Sequence, residues 1–202
     1  MARGRVDLFI AKLPMHTVVL TLNGLDSVSE LLAIPRNAQI TLKRGNIRQA
    51  VKLEFLEGRE SFADFMEMNG ALARKFQLTP LRRYLLIYNP LDSSLSISPS
   101  PLSESAVSLT RSTAGPGSLS VGYELLSYLG IPERQGTMIK VRYGRNLARL
   151  RLHVPENLSD NRLRLPAQLM KKWRLPPKQN LALQFDQRNF TLGLAPLSLL
   201  SR

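Results

Sequence analysis

The stretch Asn161–Leu194 reads NRLRLPAQLMKKWRLPPKQNLALQFDQRNFTLGL. Leu163 and Leu165 alternate with arginines, the period of a strand with one buried face. Pro166 suits the first turn of a helix, where its missing N–H is an orphan anyway. Leu169 and Trp173 lie one helical turn apart and face the same way. Pro176 and Pro177 then stop the helix after Leu175. Leu181, Leu183 and Phe185 alternate, Asp186–Asn189 is turn-like, and Phe190, Leu192 and Leu194 alternate again. The unit is a strand, a short helix and a hairpin.

This unit recurs four times when the residues twelve, ten, six and two before an apolar anchor are compared. Leu175 gives Leu163, Leu165, Leu169 and Trp173; Ile131 gives Leu119, Val121, Leu125 and Leu129. Leu78 gives Met66, Met68, Leu72 and Phe76; Ile34 gives Leu22, Gly24, Val28 and Leu32. Fifteen of the sixteen positions are apolar, where a chain that is 44% hydrophobic would give about seven by chance. A proline follows every anchor: Pro35, Pro80, Pro132 and Pro176. The first and third copies carry a hairpin centred on glycine, Gly45 and Gly144, and the second and fourth a glycine-free turn, YNPLDSS and FDQRN. The spacing from Ile34 to Leu78 equals that from Ile131 to Leu175, so one pair has been duplicated in tandem.

These patterns predict a mainly β protein with short helices. The architecture expected is two tandem pseudo-twofold small β-barrels, of double-psi or swapped-hairpin type, each built of two strand–helix–hairpin units. Closing two units on each other removes exposed strand edges. The first barrel is expected over 1–98, with units 17–55 and 62–97 after a basic leader holding a short strand at Val6–Ala11. A linker rich in Ser, Pro and Gly follows over 99–117, and the second barrel over 118–202, with units 118–154 and 161–194. Asp26 or Ser27 is placed to cap the first helix.

Composition narrows the chemistry. The absence of cysteine excludes disulfides and thiolate metal sites, and His16 and His153 are too few for a histidine-rich one. There is no Walker A, GxGxxG, HExxH or GxSxG motif, and no catalytic residue, metal or cofactor is expected. No apolar run reaches the length of a membrane span, which points to a cytoplasmic protein. The net charge of +13 is uneven: 13 Lys and Arg oppose 9 Asp and Glu up to Pro101, and 15 oppose 6 thereafter. The second half therefore carries the stronger field for an anionic partner.

In IKVRYGRNLARLRLHV, pairing around Gly144 sets Lys140, Arg142, Arg149 and Arg151 on one outer face with Arg145 at the tip. Arginines on paired strands contact phosphates and, in a groove, guanine edges. The plainer reading is a solvated face whose charges discourage edge pairing. Lys171 and Lys172 belong to the exposed side of the last helix, while Trp173 is core by its repeat position. His153 projects with the arginines, and His16 has no partner at telling spacing. The acidic group Glu54, Glu57, Glu60, Asp64 and Glu67 is of a kind that holds a hard cation, but reads more simply as a solvated loop.

The stretch from Val141 to Leu194 resembles the N-terminal barrel region of the YheC/YheD proteins of spore-forming bacteria; the first half resembles it only through the internal repeat. In that family the β-rich segment ends in Leu-Gly-Pro and precedes an ATP-grasp domain, and members are endospore coat-associated. Phe190-Thr-Leu-Gly193 matches the start of that ending, but Leu194 replaces the proline, and no ATP-grasp part follows. The resemblance implies a non-enzymatic binding or structural module in sporulation or coat assembly. More distantly, RLRLPAQLMKKWRLPP is similar to the AbrB/MazE type of DNA-binding barrel. The partners implied are nucleic acid, an anionic spore-coat component, or a separate ATP-grasp enzyme.

Overall fold

Wherever apolar and polar side chains alternate, the chain forms strands, and closure of those strands leaves one face of each in a core. The computed structural model describes residues 1–23, 29–58, 63–156 and 158–197. Two units, Met1–Ser100 and Pro101–Arg202, are each a closed seven-stranded barrel. The first holds β1 (Ala2–Ile10), β2 (Thr17–Asn23), β3 (Gln39–Arg44), β4 (Ile47–Gly58), β5 (Asp64–Met68), α1 (Gly70–Lys75), β6 (Arg83–Asn89) and β7 (Ser94–Pro99). The second holds β8 (Leu102–Arg111), β9 (Ser118–Val121), α2 (Tyr123–Leu129), β10 (Met138–Tyr143), β11 (Asn146–His153), β12 (Arg162–Leu165), α3 (Ala167–Trp173), β13 (Asn180–Asp186) and β14 (Thr191–Pro196).

Strands run in the cycle β1-β5-β2-β4-β3-β7-β6, and the second barrel repeats it with each label raised by seven. The antiparallel pair β2·β5 lies at the centre of a pseudo-twofold relation. On either side of it, β4 runs parallel to β2 and β1 parallel to β5. Beyond those, β3 is antiparallel to β4 and β6 to β1. β7 closes the barrel between β3 and β6. Thus β1 stands to the second unit as β4 stands to the first. The equivalent pairs of the second barrel have the same sense throughout.

Two segments assigned no barrel role by composition supply these extra strands. The basic leader forms β1 from Ala2 to Ile10, rather than a short strand at Val6–Ala11. The stretch expected as a linker over 99–117 contains β8, with Ser103, Val107 and Leu109 buried. Serine hides the alternation there. The strand forms because both its edges are hydrogen-bonded, to β12 and to β13, so main-chain pairing replaces side-chain hydrophobicity as the signal.

The repeat also needs a local correction. Leu20 pairs with Met66 as Val121 pairs with Leu163, so Val18 and Leu20 are the counterparts of Leu119 and Val121. Leu22 and Gly24 are not. Val18 and Leu20 are both 0% exposed. Counting back from Ile34 misses them because a short 3-10 helix, Glu30–Ala33, stands where the second barrel has α2, and the connection is longer. Leu32, expected in the core, is 47% exposed, and its neighbour Leu31 is buried instead. Gly24, Val28 and the expected caps Asp26 and Ser27 lie outside the described residues. The other units follow the expected pattern: Met66, Met68, Leu72, Phe76 and Leu78 pack in the first core. Leu119, Val121, Leu125, Leu129, Ile131, Leu163, Leu165, Trp173 and Leu175 pack in the second, with Leu169 partly buried against them. Among the described residues no helix is long and apolar enough to cross a membrane.

Candidate anion-binding face

The β10–β11 hairpin turns through Gly144 and Arg145. Only Gly144 has positive φ, at 56°, the pattern of a turn that wants glycine first. Ile139, Val141, Leu150 and Leu152 point into the core. The alternate residues therefore point out: Met138, Lys140 and Arg142 from β10, and Leu147, Arg149 and Arg151 from β11. Register places Lys140 opposite Arg149, Met138 opposite Arg151 and Arg142 opposite Leu147. Arg145 is exposed at the tip, and His153 is exposed at the far end of β11. The hairpin thus brings together the four cations that the alternation assigns to one face, with Arg145 at their turn. Like charges directly opposite each other on a strand pair are destabilising.

Among the described residues, none of Lys140, Arg142, Arg145, Arg149 and Arg151 takes part in an ion pair. Some other arginines of this barrel are neutralised. Asp160 pairs with Arg164 and lies 4.0 Å from Arg162. Asp186 chelates Arg188 at 2.9 Å, and that hydrogen bond raises the arginine's pKa further. Arg111, Arg134 and Lys178 are also exposed without an ion pair among the described residues, but the hairpin gathers four cations on two paired strands and a fifth at their turn.

Lys171 and Lys172 are exposed in the last turn of α3, as their position predicts. They are linked to the hairpin by the stack of Tyr143 on Trp173, with ring centroids 6.5 Å apart and planes 22° from parallel. Trp173 is 5% exposed and serves the core. Arg174, which caps α3 in a left-handed conformation, is a further exposed cation beside it. Position next to Trp173 was its only signal in the sequence.

The equivalent hairpin of the first barrel, β3–β4, turns at Gly45 and is different in charge. Pairing equates Thr41 with Lys140, Lys43 with Arg142, Asn46 with Arg145, Arg48 with Leu147, Ala50 with Arg149 and Lys52 with Arg151, so the first hairpin has three outward cations to the second's four and a tip arginine. Lys43 is bonded to Asp92 at 2.6 Å, and this hydrogen bond, followed by one from Ser94, holds the Asp92 carboxyl below its ordinary pKa. Lys52 is bonded to Glu54 at 2.6 Å. The residues equivalent to Asp92 and Glu54 are Asn189 and His153. Both neutralising carboxylates are therefore missing from the second barrel.

The remaining candidates stay apart. Glu54 is occupied by Lys52, and Asp64 accepts a hydrogen bond from the Ser29 hydroxyl at 2.8 Å. The side chains of Glu57 and Glu60 lie outside the described residues. Among the described residues no group of three or more His, Asp or Glu is placed to hold a metal. His16 contacts Gln49 at 3.2 Å through Nδ1. No family model matches the chain, and no curated protein or solved structure matches it significantly.

Proposed function

We propose that the chain is a non-enzymatic binding module that docks a nucleic-acid backbone on the β10–β11 hairpin of its second barrel. The observation that carries this reading is the bare charge of that hairpin. Lys140 faces Arg149 across the strand pair with no carboxylate beside them, while the duplicate hairpin has Thr41 and Ala50 there. The duplicate also opposes two cations, Lys43 and Arg48, but there Asp92 neutralises Lys43, whereas the Lys140–Arg149 opposition keeps its full cost in stability. A phosphate backbone repays that cost, because each neutralised phosphate releases condensed counterions. The projecting side chains of a two-stranded ribbon can also reach groove edges. Lys171 and Lys172 extend the surface on α3.

The test is affinity for DNA as a function of salt. Replacing Arg149 and Arg151 together by Ala should make the log–log slope shallower by about two, near one for each phosphate no longer neutralised. An unchanged slope, or no binding to any DNA at about 50 mM salt, would overturn the proposal. The resemblance to the coat-associated barrels supports an alternative polyanion, an acidic coat component, on the same face. Binding to an acidic polypeptide but to no DNA would favour that second reading. A recognition subunit for a separate ATP-grasp enzyme would be favoured by recovery of such a partner on the intact protein.

A further inference from the structure

Beside the basic hairpin, the outer wall of the second barrel holds an open cavity of about 330 Å³. Its axis follows one cross-strand row. Arg142 on β10 is level with Gly193 on β14, Gly193 with Gln184 on β13, and Gln184 with Glu104 on β8. Ala182 and Ala195, paired on the next row, continue the floor. Three strand spacings separate Arg142 from Glu104, about 14 Å between their backbones, and inward-leaning side chains shorten that span. One end therefore presents an unpaired guanidinium. The other presents a carboxylate held by Gln184, whose amide donates to Glu104 Oε1 at 2.8 Å and leaves Oε2 free.

The barrel does not require this floor to be low. A Cβ at Gly193 would meet only the Gln184 carbonyl oxygen, at 3.7 Å, an ordinary contact. In the first barrel the equivalent row is Lys43, Ser96, Ile87 and Arg3, with Leu85 where Ala182 lies. There the floor is filled and the carboxylate end is basic. A cation at one end, a flat floor of small side chains and a carboxylate at the other end fit a group that is anionic, then planar, then rich in hydrogen-bond donors.

We infer that this trough takes one nucleotide of a single strand, its phosphate on Arg142 and its base on the Gly193–Ala182 floor, with guanine preferred at Glu104. The inference rests on the nucleic-acid reading above and narrows it from duplex to single strand. Guanine directs N1–H and N2–H2 to the same side, where a carboxylate accepts both. Thymine offers a single donor, N3–H, flanked by two carbonyl oxygens that a carboxylate repels.

The experiment compares a short oligothymidine with the same strand bearing one central guanine, each titrated by anisotropy against the full chain. The guanine strand should bind about tenfold tighter. Glu104→Gln should bring the ratio near one, and so should Ala182→Leu, which installs the first barrel's residue and fills the floor. The single tryptophan, Trp173, checks that both variants keep the second barrel folded. Equal binding of the two strands by the wild type, or a ratio that survives Glu104→Gln, would overturn the inference while leaving phosphate docking intact. Failure of both strands to bind would overturn the docking reading and the inference with it. Guanosine monophosphate binding as tightly as the strand would also overturn it, since the site would then serve a free nucleotide.

Discussion

The two glycine hairpins of this chain are duplicates in backbone and opposites in charge. Both turn on a glycine of positive φ, both pair over six residues, and both lie at the same place in the strand cycle. In β3–β4 two of the outward cations have a carboxylate within 2.6 Å. In β10–β11 the outward cations are more numerous and have none among the described residues. The same strand cycle closes with either surface, so the fold does not explain the basic one. The contrast separates what the barrel needs from what the second copy has added.

A second contrast bears on stability. In the first barrel Arg83 and Asp7 face each other across β1 and β6, bonded at 2.7 Å with side chains 6% and 13% exposed. The second barrel has Asn180 and Ser108 at that place, a neutral pair. Asp7→Ala would remove the carboxylate that Arg83 grips through two nitrogens and should cost the first barrel roughly 3–5 kcal/mol. Ser108→Ala should cost under about 1 kcal/mol. Trp173, the sole tryptophan, reports the second barrel alone, while far-ultraviolet circular dichroism reports both. Under urea, Asp7→Ala should therefore advance part of the dichroism transition and leave the tryptophan midpoint in place.

Restoring the absent carboxylates sharpens the hairpin comparison more directly. Asn189→Asp with His153→Glu gives β10–β11 the two acids of its duplicate. DNA affinity at low salt should fall about tenfold, close to 1.4 kcal/mol, as two cations become internally paired. A smaller effect of opposite sign is expected on stability. Lys140→Thr removes the cross-strand repulsion with Arg149 and should raise the tryptophan unfolding midpoint by the equivalent of roughly 0.2–1 kcal/mol. Weaker binding together with higher stability is the signature of a charge kept for a partner.

The smallest effect is acid-side. Asp92 is exposed, and hydrogen bonds from Lys43 and Ser94 lower its pKa. A carboxyl that is more acidic folded than unfolded contributes stability above its unfolded pKa and loses it as pH falls through the folded one. The first barrel should lose this contribution in acid below the ordinary carboxylate range, and Asp92→Asn should remove that part of the pH dependence. The second barrel, with Asn189 in its place, should show no counterpart.

Much of this was legible in the chain. The alternation at Met66 and Met68, or Leu163 and Leu165, names inward positions without help from the structure, and the proline stops bound the helices. The outward set Lys140, Arg142, Arg149 and Arg151 follows from the same alternation once Gly144 is taken as the turn. What escaped depends on neighbours across strands. β8 is held by hydrogen bonds on both edges, which a serine-rich sequence does not advertise. The register of the first unit slipped because the connection before Ile34 changed length, and a fixed offset cannot follow that. The neutralising Asp92 comes from a distant turn, and Glu104 comes from the segment assigned to a linker. Neither the bare charge nor the trough has any local signature.

The most direct measurement transfers the face. Thr41→Lys, Asn46→Arg, Arg48→Leu, Ala50→Arg, Glu54→His and Asp92→Asn together give the first barrel's hairpin the charge pattern of the second. With short DNA strands at low salt, the number bound per chain should rise from one to two in a calorimetric titration. A variant that folds, keeps its unfolding transitions and still binds a single strand per chain would contradict the claim that the uncompensated hairpin is what binds.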